Sequence, residues 1–236
     1  MRRSEVNSYL QQAQALFDEY RFKLPPWATW SAEEWRRHPD VASHCSRHQM
    51  GWDITDFGFG RFAEEGLVLF CVRNGIQGDP TTVPYAEKLL VVREDQSAPF
   101  HYHKVKMEDI IVRGGGNLII ELYNTGVNGE ELDAPVTALL DGMRRTVAPR
   151  EPVRLTPGQS ITLPRGLMHR LAGEKGRGMV FLGEVSQVND DLNDNFFEKP
   201  VGRFAKIEED EPPLFPLWNE LAKLSPSGSG PGAPAG

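Results

Sequence analysis

The sequence predicts a mainly β protein, an antiparallel sandwich or barrel preceded by helices, and two observations carry that prediction. From about residue 65 onward, short runs rich in valine, isoleucine and leucine follow one another with little helix between them. Turn signals separate these runs, among them the hairpin dipeptide Asp141-Gly142 and the type II turn sequence Pro157-Gly158. The predicted strands are 67–72, 86–93, 108–112, 118–123, 136–140, 143–147, 160–163 and 179–185.

Helices are predicted only near the start of the chain. Residues 4–22 carry apolar side chains at helical spacing, with Ser4 as the expected N-cap. The sequence SAEE at 31–34 is a capping box that opens a second short helix, and Pro39 is expected to end it. The tryptophans expected to fix these helices to the main body are Trp27, Trp30 and Trp35.

The pattern divides the chain into three parts. A helical preface over 1–50 is expected to pack on a β-barrel domain over 51–220, and 221–236 are expected to form a flexible tail. The last dozen residues, SPSGSGPGAPAG, are of low complexity, which is typical of mobile chain.

Composition excludes several classes of function. The formal net charge of -7 and the absence of a basic run argue against nucleic acid as a partner. No apolar stretch reaches the ~20 residues that a membrane helix needs, and the basic N-terminus lacks the apolar segment of a secretory signal. Two cysteines, Cys45 and Cys71, are too few for a disulfide framework, so a cytoplasmic location is expected. A catalytic pair of Cys45 with His44 is the alternative to two buried thiols.

Candidate metal ligands concentrate in two places. In PFHYHKVKMEDIIVRGGGN, His101 and His103 are two residues apart and therefore point to the same face of a strand. Glu108 follows after four residues and can supply a carboxylate to the same site. In TPGQSITLPRGLMHRL, turns bracket a strand and His169 opens the next one. Taken alone, His169 would more often be a surface or core residue than a ligand.

Together these two places resemble the paired motifs of the cupin superfamily. The first motif, H-x-H, three or four residues, E, six residues, G, corresponds to His101 through Gly115. The second, G, five residues, P-x-G-x-x-H, corresponds to Gly158 through His169. Asp95 and Gly173 depart from the superfamily pattern, but neither position is a ligand. The resemblance implies a cupin-type antiparallel barrel or jelly roll that holds a metal on His101, His103, Glu108 and His169.

Three nitrogens and one carboxylate oxygen suit several divalent metals. Mn²⁺, Fe²⁺, Co²⁺, Ni²⁺ and Zn²⁺ all accept this ligand set, so the ligands alone do not select one. An octahedral ion with four protein ligands keeps two positions for adjacent oxygens of a substrate.

A wider resemblance points to one family within the cupins. The segments that carry it include GWDITDFG at 51–58, YAEKLLVVRE at 85–94, EDIIVRGGGNLIIELYN at 108–124 and VNDDLNDNFF at 188–197. These segments look like D-lyxose isomerases, and the resemblance runs from about residue 2 to about residue 220. It implies a homodimeric, Mn²⁺-dependent aldose–ketose isomerase for D-lyxose and D-xylulose, with D-mannose and D-fructose as the usual second pair.

Isomerisation through a cis-enediol needs a base for the carbon proton and an electrophile for the developing oxyanion. A divalent metal that chelates both sugar oxygens is such an electrophile. Glu121 is the first candidate base, because it lies in an apolar run and its carboxylate is expected to face the cavity. The alternative is a carboxylate that faces solvent from an alternating strand. Glu108 is the other candidate proton carrier, in addition to its role as a ligand.

Lys88 is the second catalytic candidate and is also a candidate for binding the sugar. It shares a strand face with apolar neighbours, so its ammonium either reaches the rim or enters a polar cavity. Asp190 and Asp191 belong to an acidic loop that is expected to bind distal hydroxyls, and the sequence does not choose between them. Arg113 and Trp52 are further candidate wall residues.

Three rival functions stay open at this point. An Fe²⁺-dependent cupin dioxygenase would use the same ligands, and a non-catalytic sugar-binding cupin would keep the cavity without turnover. A sugar-phosphate isomerase would need a phosphate cradle, and no such cradle is evident in the sequence.

Overall fold

Two antiparallel sheets face each other and enclose the main hydrophobic core in the computed structural model, which describes residues 1–127 and 129–224. The strands of the first half are β1 (Gly51–Thr55), β2 (Leu67–Asn74), β3 (Tyr85–Val92), β4 (His101–Tyr102), β5 (Glu108–Gly115) and β6 (Leu118–Tyr123). Those of the second half are β7 (Val136–Leu140), β8 (Met143–Val147), β9 (Val153–Leu155), β10 (Ser160–Leu163), β11 (Met168–Gly173), β12 (Val180–Gln187) and β13 (Phe196–Phe197).

Within the described residues, the larger sheet has eight strands in the order β1-β2-β3-β12-β5-β10-β7-β8. The smaller sheet has five, in the order β13-β4-β11-β6-β9. The predicted mainly antiparallel β fold is confirmed. Strand order places the two motifs side by side, because β11 pairs with β4 and sets His169 directly opposite His101.

Several strands are too short or too polar for the sequence pattern to reveal them. β4 and β13 have two residues each and β9 has three, so alternation cannot be recognised in them. β1, with the sequence GWDIT, is buried along its whole length and shows no alternation either. These strands are fixed by pairing with distant partners rather than by local pattern.

The helices precede the sheets as α1 (Arg3–Glu19), α2 (Ala32–Arg37) and α3 (Pro39–Arg47). The capping box of α2 is present, since Ser31 Oγ accepts from the backbone N–H of Glu34 at 3.3 Å. The second helix ends before Pro39, as predicted, since α2 stops at Arg37. Pro39 then begins α3, at a position where a helix needs no backbone N–H donor. Ser4 does not cap α1, because its backbone N–H and its hydroxyl both bind the carboxylate of Asp210.

The helical preface packs on the outer face of the larger sheet. Phe17 of α1 packs on Phe181 of β12, with ring centroids 4.9 Å apart. Trp27 stacks on Phe70 of β2 at 5.3 Å, and Trp30 meets Trp35 edge-on at 5.1 Å. Trp27 therefore joins the preface to the sheet, whereas Trp30 and Trp35 pack against each other within the preface. This second core covers the outer face and leaves the inner face of the sheet to line a cavity.

The C-terminal part of the described chain forms a 3₁₀ helix over Trp218–Leu224. The predicted start of the flexible tail at 221 is wrong, because Leu221 is buried in this helix. The remainder of the predicted tail, 225–236, lies outside the described residues. Among the helices that are described, none is long and apolar enough to cross a membrane.

Candidate active site

A cavity lies between the two sheets, and a segment that follows β12 closes one side of it. It holds about 650 Å³ of free volume, including its opening to solvent. Its polar lining residues are Thr55, Lys88, His101, His103, Lys106, Glu108, Glu184, Asp191, Asn195 and Arg203. Its apolar lining residues include Leu67, Leu69, Leu90, Ile110, Leu171, Phe57 and Phe197. One end of the cavity is therefore charged, and apolar walls complete it.

Three histidines converge at the charged end. The ligand atoms of His101, His103 and His169 all lie within 4.8 Å of one another. His101 and His103 are brought together by their i, i+2 spacing, as predicted, and their ring centroids are 5.2 Å apart. Glu108 completes the group, with one carboxylate oxygen 3.4 Å from His103 Nε2 and the other 3.4 Å from His169 Nε2.

The tautomers of these histidines follow from their hydrogen bonds. Each Nδ1 lies within hydrogen-bond distance of a backbone carbonyl oxygen and therefore donates, so that in the neutral ring Nε2 is the nitrogen that keeps a lone pair. The carbonyls belong to Pro99, Asp194 and Leu167, at 2.9, 2.7 and 2.9 Å. His101 Nε2 and His169 Nε2 face each other at 3.1 Å. Two nitrogen lone pairs at this distance repel each other unless a cation lies between them.

The donor set therefore fits a divalent metal. Burial and the neighbouring histidines His169 and His103 lower the pKa of His101 well below its ordinary value, which favours the neutral imidazole that binds metals. Glu108 Oε2 is buried 2.7 Å from Lys106 Nζ, but the direction does not suit a hydrogen bond. Imidazole nitrogens and a carboxylate that converge on one point make a ligand group, and their chemistry accepts several first-row metals.

Asp194 shapes the turn between the histidines and Glu108. Its carboxylate accepts the backbone N–H groups of Lys104, Val105 and Lys106 at 2.8, 2.9 and 3.0 Å. Its backbone oxygen accepts the Nδ1 proton of His103. One buried aspartate thus fixes both the turn and the orientation of a candidate ligand, which is how outer contacts commonly support a metal site.

Gly166 connects the second motif to the first. Its backbone N–H donates to the carbonyl of His103 at 2.8 Å, and its φ of 79° is in the left-handed region that favours glycine. The turn that precedes His169 is therefore held directly against the strand end that carries His103.

Charged side chains continue from the histidines along the inner face of the larger sheet. Lys106 Nζ lies 2.7 Å from Glu108 Oε2 and 2.7 Å from Glu184 Oε1. Lys88 Nζ lies 3.0 Å from Asp191 Oδ1 and 3.7 Å from Glu184 Oε1. At most one tenth of each of these five side chains is exposed. Lys106 therefore lies between two carboxylates, that of the candidate ligand Glu108 and that of Glu184.

Arg203 extends the cluster toward the mouth of the cavity. Its Nη2 donates to Asp53 Oδ2 at 2.5 Å and to Asp191 Oδ2 at 3.2 Å. Within the described residues the cluster has the cations Lys88, Lys106 and Arg203 and the carboxylates Asp53, Glu108, Glu184 and Asp191. Four carboxylates against three cations leave one excess negative charge when the histidines are neutral, which favours an added cation.

The charges of this cluster stabilise one another. Burial alone would lower the pKa of Lys106, but the charges of Glu108 and Glu184 outweigh it and raise that pKa above its ordinary value. Burial would raise the pKa of Asp191, yet Lys88 and the neighbouring guanidinium hold it below its ordinary value. Both groups are therefore charged at neutral pH, and this end of the cavity is strongly polar.

The structure brings together six of the residues that the sequence singled out. They are His101, His103, Glu108 and His169 as candidate ligands, with Lys88 and Asp191 beside them. Lys88 enters the cavity rather than reaching the rim, and between the two acidic loop residues it is Asp191 that lines the cavity. The cysteines Cys45 and Cys71 are both buried and free, and burial raises the pKa of each thiol to about 12.

The expected orientation of Glu121 is wrong. In the register of β6 and β11, Glu121 pairs with Arg170, whereas Leu122 pairs with His169. Directly paired residues share a face, so Leu122 and His169 face the interior and Glu121 faces outward. There its carboxylate accepts from Arg170 Nη1 at 2.9 Å. The alternative of an outward carboxylate on an alternating strand is the correct one.

Three candidate wall residues also lie elsewhere. Trp52 is buried on the outer side of the larger sheet, where its ring stacks with Phe17 at 6.0 Å. Arg113 is exposed on β5, on the face opposite to Glu108. Asp190 accepts from Gln49 Nε2 at 3.2 Å and does not line the cavity. Trp52 and Arg113 occupy the faces of their strands that turn away from the cavity, and Asp190, in the irregular segment after β12, is turned toward Gln49.

Sequence reasoning missed several residues that the fold adds to the site. Lys106 lies within the spacer of the first motif, so the motif itself could have drawn attention to it. Glu184 lies in an apolar run, as Lys88 does, and the same reasoning would have found it. Asp194 and Arg203 come from irregular segments that no spacing rule connects to the histidines.

Comparison with known proteins assigns the family. A family model described as D-lyxose isomerase matches residues 1–221. The chain belongs to the D-lyxose isomerase family. The resemblance drawn from the sequence is thus confirmed, and with it the prediction that the chain is an isomerase of this family.

Curated relatives of the family span nearly the whole chain. A D-lyxose/D-mannose isomerase of Escherichia coli O157:H7 is 44% identical over 226 residues, which cover 95% of this chain and 100% of that protein. One of Serratia proteamaculans is 46% identical over 228 residues, covering 95% and 99%. A D-lyxose ketol-isomerase of Cohnella laeviribosi is 30% identical over 165 residues, covering 67% and 82%.

Solved structures agree with the cupin-type fold. An L-ribose isomerase of Cellulomonas parahominis, in a complex with L-psicose, has a TM-score of 0.61 at 18% identity and covers 88% of this chain and 98% of its own. The L-ribose isomerase of Geodermatophilus obscurus gives 0.60 at 18% identity with the same coverage. At this identity the likeness concerns the fold, and the predicted cupin-type barrel is confirmed.

Proposed function

We propose that this chain interconverts D-lyxose and D-xylulose, and D-mannose and D-fructose, through a cis-enediol intermediate. One observation carries the mechanism: a buried carboxylate, Glu184, and two buried ammonium groups lie beside the cluster of three histidines and Glu108. Membership of the D-lyxose isomerase family and the names of the curated relatives support the choice of sugars.

His101, His103, Glu108 and His169 would hold the metal. When bound, a divalent metal supplies a Lewis acid for the sugar oxygens between which the carbonyl migrates. Mn²⁺ is the proposed ion, with Co²⁺, Ni²⁺ or Fe²⁺ as substitutes that the same ligands accept. The remaining steps belong to side chains of the chain itself.

Glu184 takes the role of the base. It projects from β12 into the cavity, between its paired neighbours Lys88 on β3 and Ile110 on β5. Its carboxylate removes the proton from C2 of the aldose and returns it to C1, while a second proton passes from O2 to O1. C2 thus loses one proton and C1 gains one; in the enediol the electron pair of the broken C2–H bond forms the C1=C2 double bond, and the carbonyl pair moves onto O1. Glu108 is the second candidate for this transfer.

The two lysines act as donors to the sugar oxygens. Lys106 and Lys88 place their ammonium groups 2.7 and 3.7 Å from Glu184 Oε1, so charge that develops on an oxygen there meets a positive group. Asp191 and Arg203, at the mouth, are placed to bind distal hydroxyls. Apolar walls such as Leu90 and Phe197 limit water around the enediol.

A single panel tests the proposal. Purified protein is assayed with D-lyxose, D-mannose and D-xylulose, with Mn²⁺, Co²⁺ or Ni²⁺ added, and with EDTA. We expect conversion of D-lyxose to D-xylulose without oxygen uptake, loss of activity with EDTA and recovery with Mn²⁺. Oxygen consumption with Fe²⁺ would instead identify a dioxygenase. Sugar binding without conversion by any metal would identify a non-catalytic cupin.

We further propose a homodimer in the cytoplasm. The dimer rests on the resemblance to the D-lyxose isomerases, and the location rests on two buried free thiols, which are typical of a reducing compartment. Light scattering coupled to size exclusion would measure about twice the chain mass of 26.5 kDa for a dimer.

A further inference from the structure

Asn189 lies between the two buried lysines of the cavity and is the acceptor that they share. Its side-chain Oδ1 accepts from Lys88 Nζ at 2.5 Å and from Lys106 Nζ at 3.1 Å. Asn189 is itself 3% exposed, in the chain segment directly after β12. One neutral oxygen therefore sets the separation of two ammonium groups that come from different elements of the fold.

A second asparagine holds Asn189 in place. The backbone N–H of Asn189 donates to Asn74 Oδ1 at 3.0 Å, and Asn74 Nδ2 donates to the backbone oxygen of Asn189 at 2.8 Å. Asn74 also makes two hydrogen bonds with His48. Its Nδ2 donates to the backbone carbonyl of His48, and His48 Nδ1 donates to the backbone carbonyl of Asn74. The backbone of Asn189 is thus fixed to the end of β2, and its side chain has little freedom left.

The amide is oriented by the charges that it meets. Only Oδ1 can face two ammonium groups, because Nδ2 carries hydrogens that they cannot accept. This leaves Nδ2 buried without a partner among the described residues, an arrangement that costs free energy and that the fold tolerates.

We propose that Asn189 is a positioning residue that directs the N–H donors of Lys88 and Lys106 for the isomerisation, an inference that rests on the function proposed above. Each lysine has a carboxylate to which it can otherwise turn. Lys88 lies 3.0 Å from Asp191 and 3.7 Å from Glu184, and Lys106 contacts both Glu108 and Glu184. Without the shared amide acceptor, each ammonium turns toward these carboxylates and away from the sugar oxygens.

Variants of similar size separate this role from packing. Asn189→Leu removes the acceptor at nearly constant volume, and Asn189→Asp keeps an acceptor oxygen. Asn193→Leu is the matched control, because Asn193 lies in the same segment, is exposed and donates within its own loop, from Nδ2 to Asp190. We expect Asn189→Leu to lower kcat roughly 10- to 100-fold with a smaller change in KM, since donors displaced by about 1 Å lose that much.

The conservative variant decides between positioning and structure. Asn189→Asp is expected to retain kcat within about 5-fold of the wild type, and Asn193→Leu to retain it in full. Equal losses in Asn189→Leu and Asn189→Asp would assign Asn189 to packing and overturn the inference. Asn189→Ala, which adds no bulk beside the lysines, provides the same comparison if Asn189→Leu does not fold.

A readout that does not depend on turnover completes the test. In Zn²⁺-loaded protein with ¹⁵N-labelled lysine, the Nζ resonances of Lys88 and Lys106 are assigned by their loss in Lys88→Met and Lys106→Met. We expect both resonances to shift in Asn189→Ala and to stay in place in Asn193→Leu. Unchanged resonances in Asn189→Ala would refute the inference even in an active enzyme. A wild-type protein that converts no sugar would refute the proposed function, and the resonances would still show whether Asn189 holds the lysines.

Discussion

β12 and β6 each carry a single glutamate between apolar neighbours, yet the two carboxylates have opposite surroundings. Glu184 on β12 is 4% exposed and meets Lys106 inside the cavity. Glu121 on β6 has a side chain that is 21% exposed and meets Arg170 on the outer face of the smaller sheet. The composition of the two strands does not distinguish the two glutamates. They differ in the face of the sheet from which each side chain projects.

That difference shows where an apolar run stops being informative. On β6 the core positions are Leu118, Ile120 and Leu122, which leaves Glu121 on the other face. The first five residues of β12 are buried on both faces, so alternation does not show which side chains point into the cavity. The pairing of β12 with β3 decides this, because it places Glu184 opposite Lys88. Whether a strand carboxylate enters a cavity thus depends on its partner strand.

The largest expected effect compares two adjacent residues of β11. His169 faces the cavity and Arg170 faces outward, so His169→Ala should abolish metal binding and turnover, whereas Arg170→Ala should preserve both. The reason is that His169 supplies one of three converging nitrogens, whereas the guanidinium of Arg170 binds Glu121 and Ser97. Metal content by elemental analysis and conversion of D-lyxose measure the two effects.

His101→Ala serves as a second test of the inner face and should behave as His169→Ala does. A metal-free His169→Ala protein with full activity would refute metal dependence. Loss of metal in Arg170→Ala alone would show that the outer face, not the inner one, supports the site.

The next effect compares the two glutamates directly. Glu184→Gln should keep the metal and lose about 10²- to 10⁴-fold in kcat, which is the range for removal of a general base. Glu121→Gln should stay within about 3-fold of the wild type, because its carboxylate does not reach the cavity. Steady-state kinetics on D-lyxose, with metal content as the control, measure both variants.

A normal rate in Glu184→Gln would assign the role of the base to Glu108 instead. That role is harder to test, because a substitution of Glu108 would also remove a candidate metal ligand. A large loss in Glu121→Gln would contradict the outward orientation of that residue. The two variants together therefore decide which strand supplies the base.

The sequence predicted what local spacing can encode. The i, i+2 histidines, the glycines of the motifs and most long strands depend on neighbours within about ten residues. Thus His101, His103 and Glu108 were found from one segment, and His169 was found because a second motif repeats at a known distance. Lys88 was found from its position on an apolar strand face, a reasoning that also applies to Glu184 but fails for Glu121.

The remainder of the site depends on contacts between distant segments. Asn189 reaches Lys88 across 101 positions of the chain, and Arg203 reaches Asp53 across 150. Their segments are irregular, so neither periodicity nor a motif fixes where they lie. Trp52 is the opposite case. The sequence made it a candidate wall residue of the cavity, but its side chain lies on the other face of β1 and packs on Phe17 of α1.

The smallest expected effect concerns stability and compares the ion pairs of the two faces. Asp191→Asn removes a buried partner of Lys88 and should destabilise the fold by about 3 kcal/mol, the usual scale for breaking a buried pair. Glu121→Gln breaks the partly exposed pair with Arg170 and should cost at most about 1 kcal/mol. Urea denaturation at pH 7 measures both, and equal costs would contradict the assignment of the two faces.

The pH dependence of that difference gives the sharper test. The pKa of Asp191 is below its ordinary value in the folded protein, because Lys88 and Arg203 outweigh the effect of burial. A carboxyl whose pKa is lowered by folding stabilises the fold above its unfolded pKa of about 3.9, and that stabilisation is lost as the pH falls toward the folded value. The gap in stability between the wild type and Asp191→Asn should therefore be constant above about pH 5 and should narrow below about pH 4. A gap that stays constant down to pH 3 would mean that Asp191 acts through packing rather than through its charge.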